Sequence, residues 1–482
     1  HDMGLSINNS AGMVTVTGTT TITNENNSTA SALDIRNSAA NFNFNTLNVT
    51  AATGSPAVNL QNDTGTTTFQ TTNISTTNGT ALRAASAGTL WINPAVNGSV
   101  NLNQGGTINA VGGTAIDVQN TTLSVNLMSV SSTNAPVGIN LISTAGLLAV
   151  FGNGTAGSGG TIQGAANGIF LQNTGLTGFQ WMNIVSNGVG IHAEGVANFV
   201  LSNSTVANST TYGIDALNTP AMAIANSVFI GNGASNIHAQ FNMLESYAYS
   251  IAGTQFTSTS ANNVDLIMLA GGTSSTMNLS VQDSLFNNAG TSTSGINANW
   301  NGVLTATINQ SSFIETAKSV TGVMINNTTP SGLSTISYTN NAYSTTGTFG
   351  TAFHFTSPGA AVLTATGNLV QFGNTNGTGF EMSLVNPSVS IANNQITDAT
   401  DGATGMLFDS VTGPGVVAIN GNTITLANSG ALLDRGIIFS SVPASFQLQG
   451  TTSNTISGAD TPFFVPAGTT TGSIVVNGAA VP

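Results

Sequence analysis

The sequence predicts an all-β chain: a right-handed parallel β-helix (β-solenoid) of roughly 16 or 17 coils stacked about 4.8 Å apart. Three observations lead there. A short motif of glycine, an apolar residue, a variable residue and a second apolar residue returns at near-regular intervals. A second motif follows it within each period. Charged helix formers are nearly missing, with only 4% charged residues among 482, where about 25% is usual for a soluble globular domain.

The first motif reads Gly138-Ile139-Asn140-Leu141, Gly168-Ile169-Phe170-Leu171, Gly190-Ile191-His192-Ala193 and Gly213-Ile214-Asp215-Ala216. Asn236-Ile237-His238-Ala239 and Asn263-Val264-Asp265-Leu266 carry asparagine in place of glycine, and Gly295-Ile296-Asn297-Ala298 resumes the pattern. Starts at 138, 168, 190, 213, 236 and 263 lie 30, 22, 23, 23 and 27 residues apart. Each apolar-x-apolar triplet alternates with the period of two that marks a strand, and the triplets are too short for helices. Three short strands with three turns fill such an interval, and the inward residues of stacked coils then form ladders.

The second motif places an apolar residue, then asparagine two later, then an apolar or aromatic residue three further on. Leu201-Asn203-Val206, Ile224-Asn226-Phe229 and Ile391-Asn393-Ile396 are clear copies; Val281-Asp283-Phe286, Ile308-Gln310-Phe313 and Tyr338-Asn340-Tyr343 are looser. Asparagine tolerates the left-handed backbone a bend requires, and stacked amides bond to one another along a coil axis. This predicts a corner at each such asparagine, with its side chain in an amide stack.

Two stretches are distinguished. Residues 1–135 form Thr/Asn-rich coils that still hold Ala32-Leu33-Asp34-Ile35, Ala57-Val58-Asn59-Leu60, Ala81-Leu82-Arg83 and Ala115-Ile116-Asp117-Val118. Residues 136–482 form regular coils of about 22–31 residues, continuous with the first stretch. The chain opens at His1-Asp2-Met3 without the basic and apolar stretches of a signal peptide. With Ser473-Ile474-Val475-Val476 still strand-like near the other end, it reads as a segment of something longer.

Composition narrows the partners. The net charge is −13, from 17 acidic and 4 basic residues. Arg36, Arg83, Lys318 and Arg435 stand singly. Nucleic acid and anionic lipid both require clustered Lys and Arg, so neither is expected as a partner. No run approaches the roughly 18 apolar residues of a helical span, so no membrane insertion by this segment is expected. Cysteine is absent, which removes disulfides and thiolate metal sites.

The Gly-Ile-x-Leu starts and the Ile-x-Asn-x-x-Phe step resemble the right-handed parallel β-helix superfamily that includes the pectin lyases. The Thr/Asn/Gly-rich, Cys-free, lysine-poor version resembles autotransporter passenger regions and related bacterial surface proteins. Phe229-Ile230-Gly231-Asn232 matches the F-x-x-N motif of chlamydial-type polymorphic membrane proteins, and Gly113-Thr114-Ala115-Ile116 approaches their G-G-A-[ILV] motif. The resemblance implies an extracellular or outer-surface location and a structural or adhesive role, with a host-cell receptor or glycan as partner. The alternative it carries is a polysaccharide-processing lyase or glycoside hydrolase. Galacturonase-like members of that superfamily use Gly-His-Gly and Arg-x-Lys segments, and neither string occurs here. Asp398 and Asp401 form an acidic pair, but Thr397-Asp398-Ala399-Thr400-Asp401-Gly402 reads as a turn. No catalytic residue, cofactor or metal site is assigned.

One column of side chains is the candidate binding site. The middle residue of the first motif points outward, and successive copies supply His192, Asp215, His238 and Asp265, between Phe170 and Asn297. His354 occupies the same slot, followed by Glu381. Alternating imidazole and carboxylate avoids like-charge stacking on a parallel sheet; the same row would suit a divalent cation or a proton-linked adhesive patch. Trp91, Trp181 and Trp300 are assigned to coil cores rather than to sugar stacking. Glu245 with Tyr247 and Tyr249 is the most polar-aromatic spot in the longer coils. Thr15-Val16-Thr17 and Thr19-Thr20-Thr21 are not expected to continue coil after coil as a flat threonine array.

Overall fold

The computed structural model describes residues 4–24, 29–52, 54–94, 105–258, 265–271, 275–289, 294–316, 320–373, 376–427, 430, 432–441 and 446–481. His1, Asp2, Met3, Asn263, Val264 and Lys318 lie outside the described residues. The chain is an all-β parallel solenoid of about 16 turns, and no helix occurs among the described residues. Accordingly no helix is long and apolar enough to cross a membrane. Two compact units divide it, His1–Asn232 and Gly233–Pro482.

In the first unit a coil holds three strands. Val189–Glu194, Asn198–Ser202 and Thr205–Ala207 make one, and Tyr212–Leu217, Ala221–Ala225 and Val228–Ile230 make the next. Their registers pair Ile191 with Ile214, Leu201 with Ile224 and Val206 with Phe229. Ile139, Ile169, Ile191 and Ile214 form an inward ladder in which every side chain is fully buried. Burying each such residue contributes about 1.5–3 kcal/mol. The motif glycine lets the coils approach: a Cβ at Gly190 would lie 2.5 Å from the Gly213 carbonyl oxygen and 2.9 Å from Val206 Cγ1.

Each corner turns on one residue in the left-handed region. In successive coils these are Asn173, Gly195 and Asn218 after the first strand, and Trp181, Asn203 and Asn226 after the second. Ser186, Asn208 and Gly231 follow the third. Asparagine and glycine adopt this conformation at the least steric cost, so the corner asparagines of the second motif stand where the sequence predicts a bend.

The second unit repeats the plan. Its inward ladder runs through Ile237, Ile267, Ile296, Val323, Phe353, Phe380, Met406 and Ile437. Phe256, Phe286 and Phe313, the aromatic position of the second motif, stack with centroids 5.0 and 4.7 Å apart. The last described strands leave the parallel pattern: Thr470–Val476 pairs antiparallel with Ala479–Val481.

Two expectations about these motifs are corrected. The amide stack forms one residue beyond the corner asparagine. Asn340 and Asn393 turn the chain at φ of 55° and 56°, whereas Asn341, Asn368, Asn394, Asn422 and Asn454 are buried and bonded coil to coil. Each of these buried amides except the last passes its backbone N–H to the next Oδ1, and each donates from Nδ2 to a core carbonyl. The corner bends the chain, and the residue after it is the one carried inward. Second, the motif at 263–266 is out of frame by three residues. Ile267 pairs with Ile237 and Ile296, so Leu266-Ile267-Met268-Leu269 is the true copy.

The tryptophans divide. Trp300 is core, 1% exposed, with Nε1 donating to the Ser275 carbonyl at 3.2 Å. Trp181 sits on a corner at φ 57°. Trp91 is 41% exposed, because its register partners Thr68 and Ser124 belong to an outward column.

Candidate functional site

The outward column of the first-motif strands runs unbroken through the first unit. The register joins Asp34 to Asn59, Asn59 to Arg83, Arg83 to Asp117 and Asp117 to Asn140. It continues through Phe170 and His192 to Asp215. The outward column two residues along carries Arg36 and Glu194, with Gln61, Gln119 and Gln172 in between. Of the eight Asp, Glu, Arg and His residues described in this unit, only Asp63 stands apart, buried in a corner. Asp63 apart, the described charges of this unit thus lie in one strip.

Within the strip every charge meets a complementary group. Asp34 Oδ1 accepts from Arg36 Nε at 2.7 Å and from Asn59 Nδ2 at 2.8 Å. Asp117 accepts from Asn140 Nδ2 at 2.8 Å and lies 3.9 Å from Arg83 Nε. His192 is the most elaborated position. Its ring stacks on Phe170, with centroids 5.1 Å apart and planes at 11°. Nδ1 lies 3.0 Å from Asp215 Oδ2, and Nε2 lies 3.9 Å from Glu194 Oε2, which accepts from Gln172 Nε2 at 2.8 Å. A phenyl face, an imidazole and two carboxylates are thereby held half-buried in one place. Stacking and paired hydrogen bonds are the interactions such side chains are able to offer a ligand.

The other two predicted site residues lie in the second unit and part company. His238 is on the outward column, paired in register with Met268. Asp265 is not on it. It precedes the strand and accepts from the Ser294 backbone N–H and from Asn297 Nδ2, both at 2.7 Å. Burial raises its carboxyl above the ordinary value, against the lowering effect of those bonds. The frame slip at 263 explains the misplacement, since Leu266 and Leu269 both satisfy an apolar position. His354 and Glu381 do share the column, with Nδ1 3.3 Å from Oε2. The bond from His354 holds the Glu381 carboxyl below its ordinary value. Among the described residues no group of three or more His, Asp and Glu side chains is arranged to hold a metal ion.

The remaining sequence candidates are structural. Tyr247 and Tyr249 are buried against Phe241, which also meets Trp300 edge-on. Asp398 is buried and accepts from the Thr400 N–H and hydroxyl, each at 3.0 Å. Asp401 accepts from the Leu432 N–H at 2.7 Å. Both carboxylates therefore organise turns.

What sequence reasoning missed is that the strip begins at Asp34. The triplets around Asp34, Asn59, Arg83 and Asp117 are visible in the sequence, and extending the outward column through them brings both arginines beside carboxylates. No family model matches this chain, and comparison with curated proteins and with solved structures returned no match.

Proposed function

We propose that this chain is a non-enzymatic structural rod or adhesin of the extracellular or bacterial outer surface, a passenger segment of the autotransporter kind on a pectin-lyase-like coil. One observation supports the reading: in the first unit the described charged side chains other than Asp63, together with Phe170, follow one strip from coil to coil instead of converging in a cleft. A strip of that kind meets an extended partner, a receptor or glycan, through many weak contacts whose effects multiply. His192, Phe170 and Asp215 are its densest point and the place where contact is expected to matter most. Fold likeness to polysaccharide-cutting enzymes is a weak warrant for activity, and the aspartates open to such a role are engaged in turns.

The test incubates the purified chain with a panel of polysaccharides and with host cells, scoring retained protein and released sugar ends together. Retention without product, reduced in His192→Ala while the melting temperature holds, is the expected result. Released sugar ends would overturn the proposal and favour the enzyme alternative.

A further inference from the structure

We infer that the first unit carries a second binding site, for a neutral polysaccharide chain, in the trough beside Trp91. The inference rests on the adhesive reading above and names a ligand class and a place that reading does not.

The strand Asn41–Ala51 opens with Asn41-Phe42-Asn43-Phe44-Asn45, and its three asparagines are exposed while the two phenylalanines are buried. Alternation on a strand forces this division: the rings anchor the core, and the amides become a row on the surface. In the register, Asn41 lies beside Met13 and Asn43 beside Thr15 on one flank, and Asn43 beside Thr68 on the other. Trp91 follows Thr68 in the same column. The result is a shallow trough of about 260 Å³. Asn41, Asn43, Thr66 and Thr68 supply its polar lining, and Met13, Phe42 and Trp91 its apolar lining. A second trough of similar size shares Asn43 and continues to Asn45 and Gln70.

Three features select the ligand. Trp91 keeps 41% of its surface in water, although its column neighbours are small and polar. An exposed indole offers a flat apolar face that stacks on the C–H face of a sugar ring, and it retains an N–H donor. The trough's amides and hydroxyls both donate and accept, which suits a ligand bearing hydroxyls. No ionisable residue lines either trough, while the described charged residues of this unit, Asp63 apart, lie in the separate strip. An anionic polymer such as polygalacturonate finds no cation here, so the partner is uncharged. Adjoining troughs that share Asn43 suit a chain of sugars rather than a single one.

Affinity electrophoresis tests this, since a chain of net charge −13 migrates readily in native gels. The full chain is run in gels containing laminarin, hydroxyethylcellulose or galactomannan, with polygalacturonate as the anionic comparison. Retardation by at least one neutral polymer is expected, weakened about tenfold in Trp91→Ala through loss of the stacked face. Asn43→Lys, which fills the trough from an exposed position, is expected to abolish it at an unchanged melting temperature. Retardation that survives both trough variants, or that only polygalacturonate causes, overturns the proposal. So does migration unaffected by all three neutral polymers. Release of sugar ends with Trp91-dependent retardation intact would sink the non-enzymatic reading and leave this site standing.

Discussion

Replacing Asn394 with alanine removes one rung of the buried amide stack and separates it from the corner beside it. Asn394 Oδ1 accepts from the Asn368 backbone N–H at 3.0 Å and from Asn368 Nδ2 at 2.8 Å. Its own Nδ2 donates to the Ala365 carbonyl and to Asn422 Oδ1, both at 2.9 Å. Truncation strands the Asn368 N–H, at about 1–3 kcal/mol, and removes three further bonds worth about 0.5–1.5 kcal/mol each. The expected loss is about 2.5–7.5 kcal/mol. Asn393 is its neighbour in sequence, exposed and at φ 56°. Asn393→Ala loses only the left-handed tolerance of asparagine, about 1 kcal/mol, and Asn393→Gly about nothing. Urea unfolding followed by circular dichroism gives the ranking, and hydrogen exchange at Asn368 locates it. An Asn394→Ala cost no larger than that of Asn393→Ala would refute the view that the buried amides, rather than the corners, hold the coils together here.

Two titratable groups give further predictions. Neither carboxyl oxygen of Glu315 has a hydrogen-bond partner among the described residues, and the side chain is fully buried. Burial pushes its carboxyl well above the ordinary value of 4.5. With the folded-state pKa raised, the neutral acid's stabilising share is complete below the unfolded value and is lost as pH rises through the folded one. Glu315→Gln is therefore expected to melt higher than the parent near about pH 8, the gap closing toward about pH 4; parallel curves would contradict this. Glu381 has the opposite sign, because His354 lowers its carboxyl. Its stabilising share is present above the unfolded value and lost as pH falls through the lowered one. Carbon-13 NMR should show its midpoint below 4.5 and rising in His354→Ala, where burial acts unopposed; an unmoved midpoint would remove His354 as the cause.

The coil plan was legible because it depends on periodicities that local sequence displays. Glycine marks close approach, apolar alternation marks the inward face, and asparagine marks corners. Reading failed where two frames satisfied the same pattern. Val264 and Leu266 mimic a triplet, and only pairing of Ile267 with Ile237 and Ile296 selects the frame. The amide stack was assigned to Asn393 instead of Asn394 because a corner shifts the inward phase by one residue, which composition cannot reveal. Trp91 was assigned to a core on the general habit of tryptophan, although its neighbours Leu90 and Ile92 already claim the inward positions of that strand. For the candidate strip, the His192–Asp215 pairing was readable from two adjacent coils. Its company of Phe170, Glu194 and Gln172 required the stagger of the outward columns.

The register pairs described above join residues separated in sequence by anything from 22 positions, as at Phe170 and His192, to 34, as at Arg83 and Asp117. Both pairings are parallel and in register, so the alignment does not depend on how many residues separate the strands. Such a chain keeps its alignment when segments between strands lengthen, as loop-closure entropy grows only slowly with added residues. Foreign peptides grafted into those segments would be displayed at defined intervals without renegotiating the framework. The same latitude would let such a chain diversify what it presents while its interior stays unchanged.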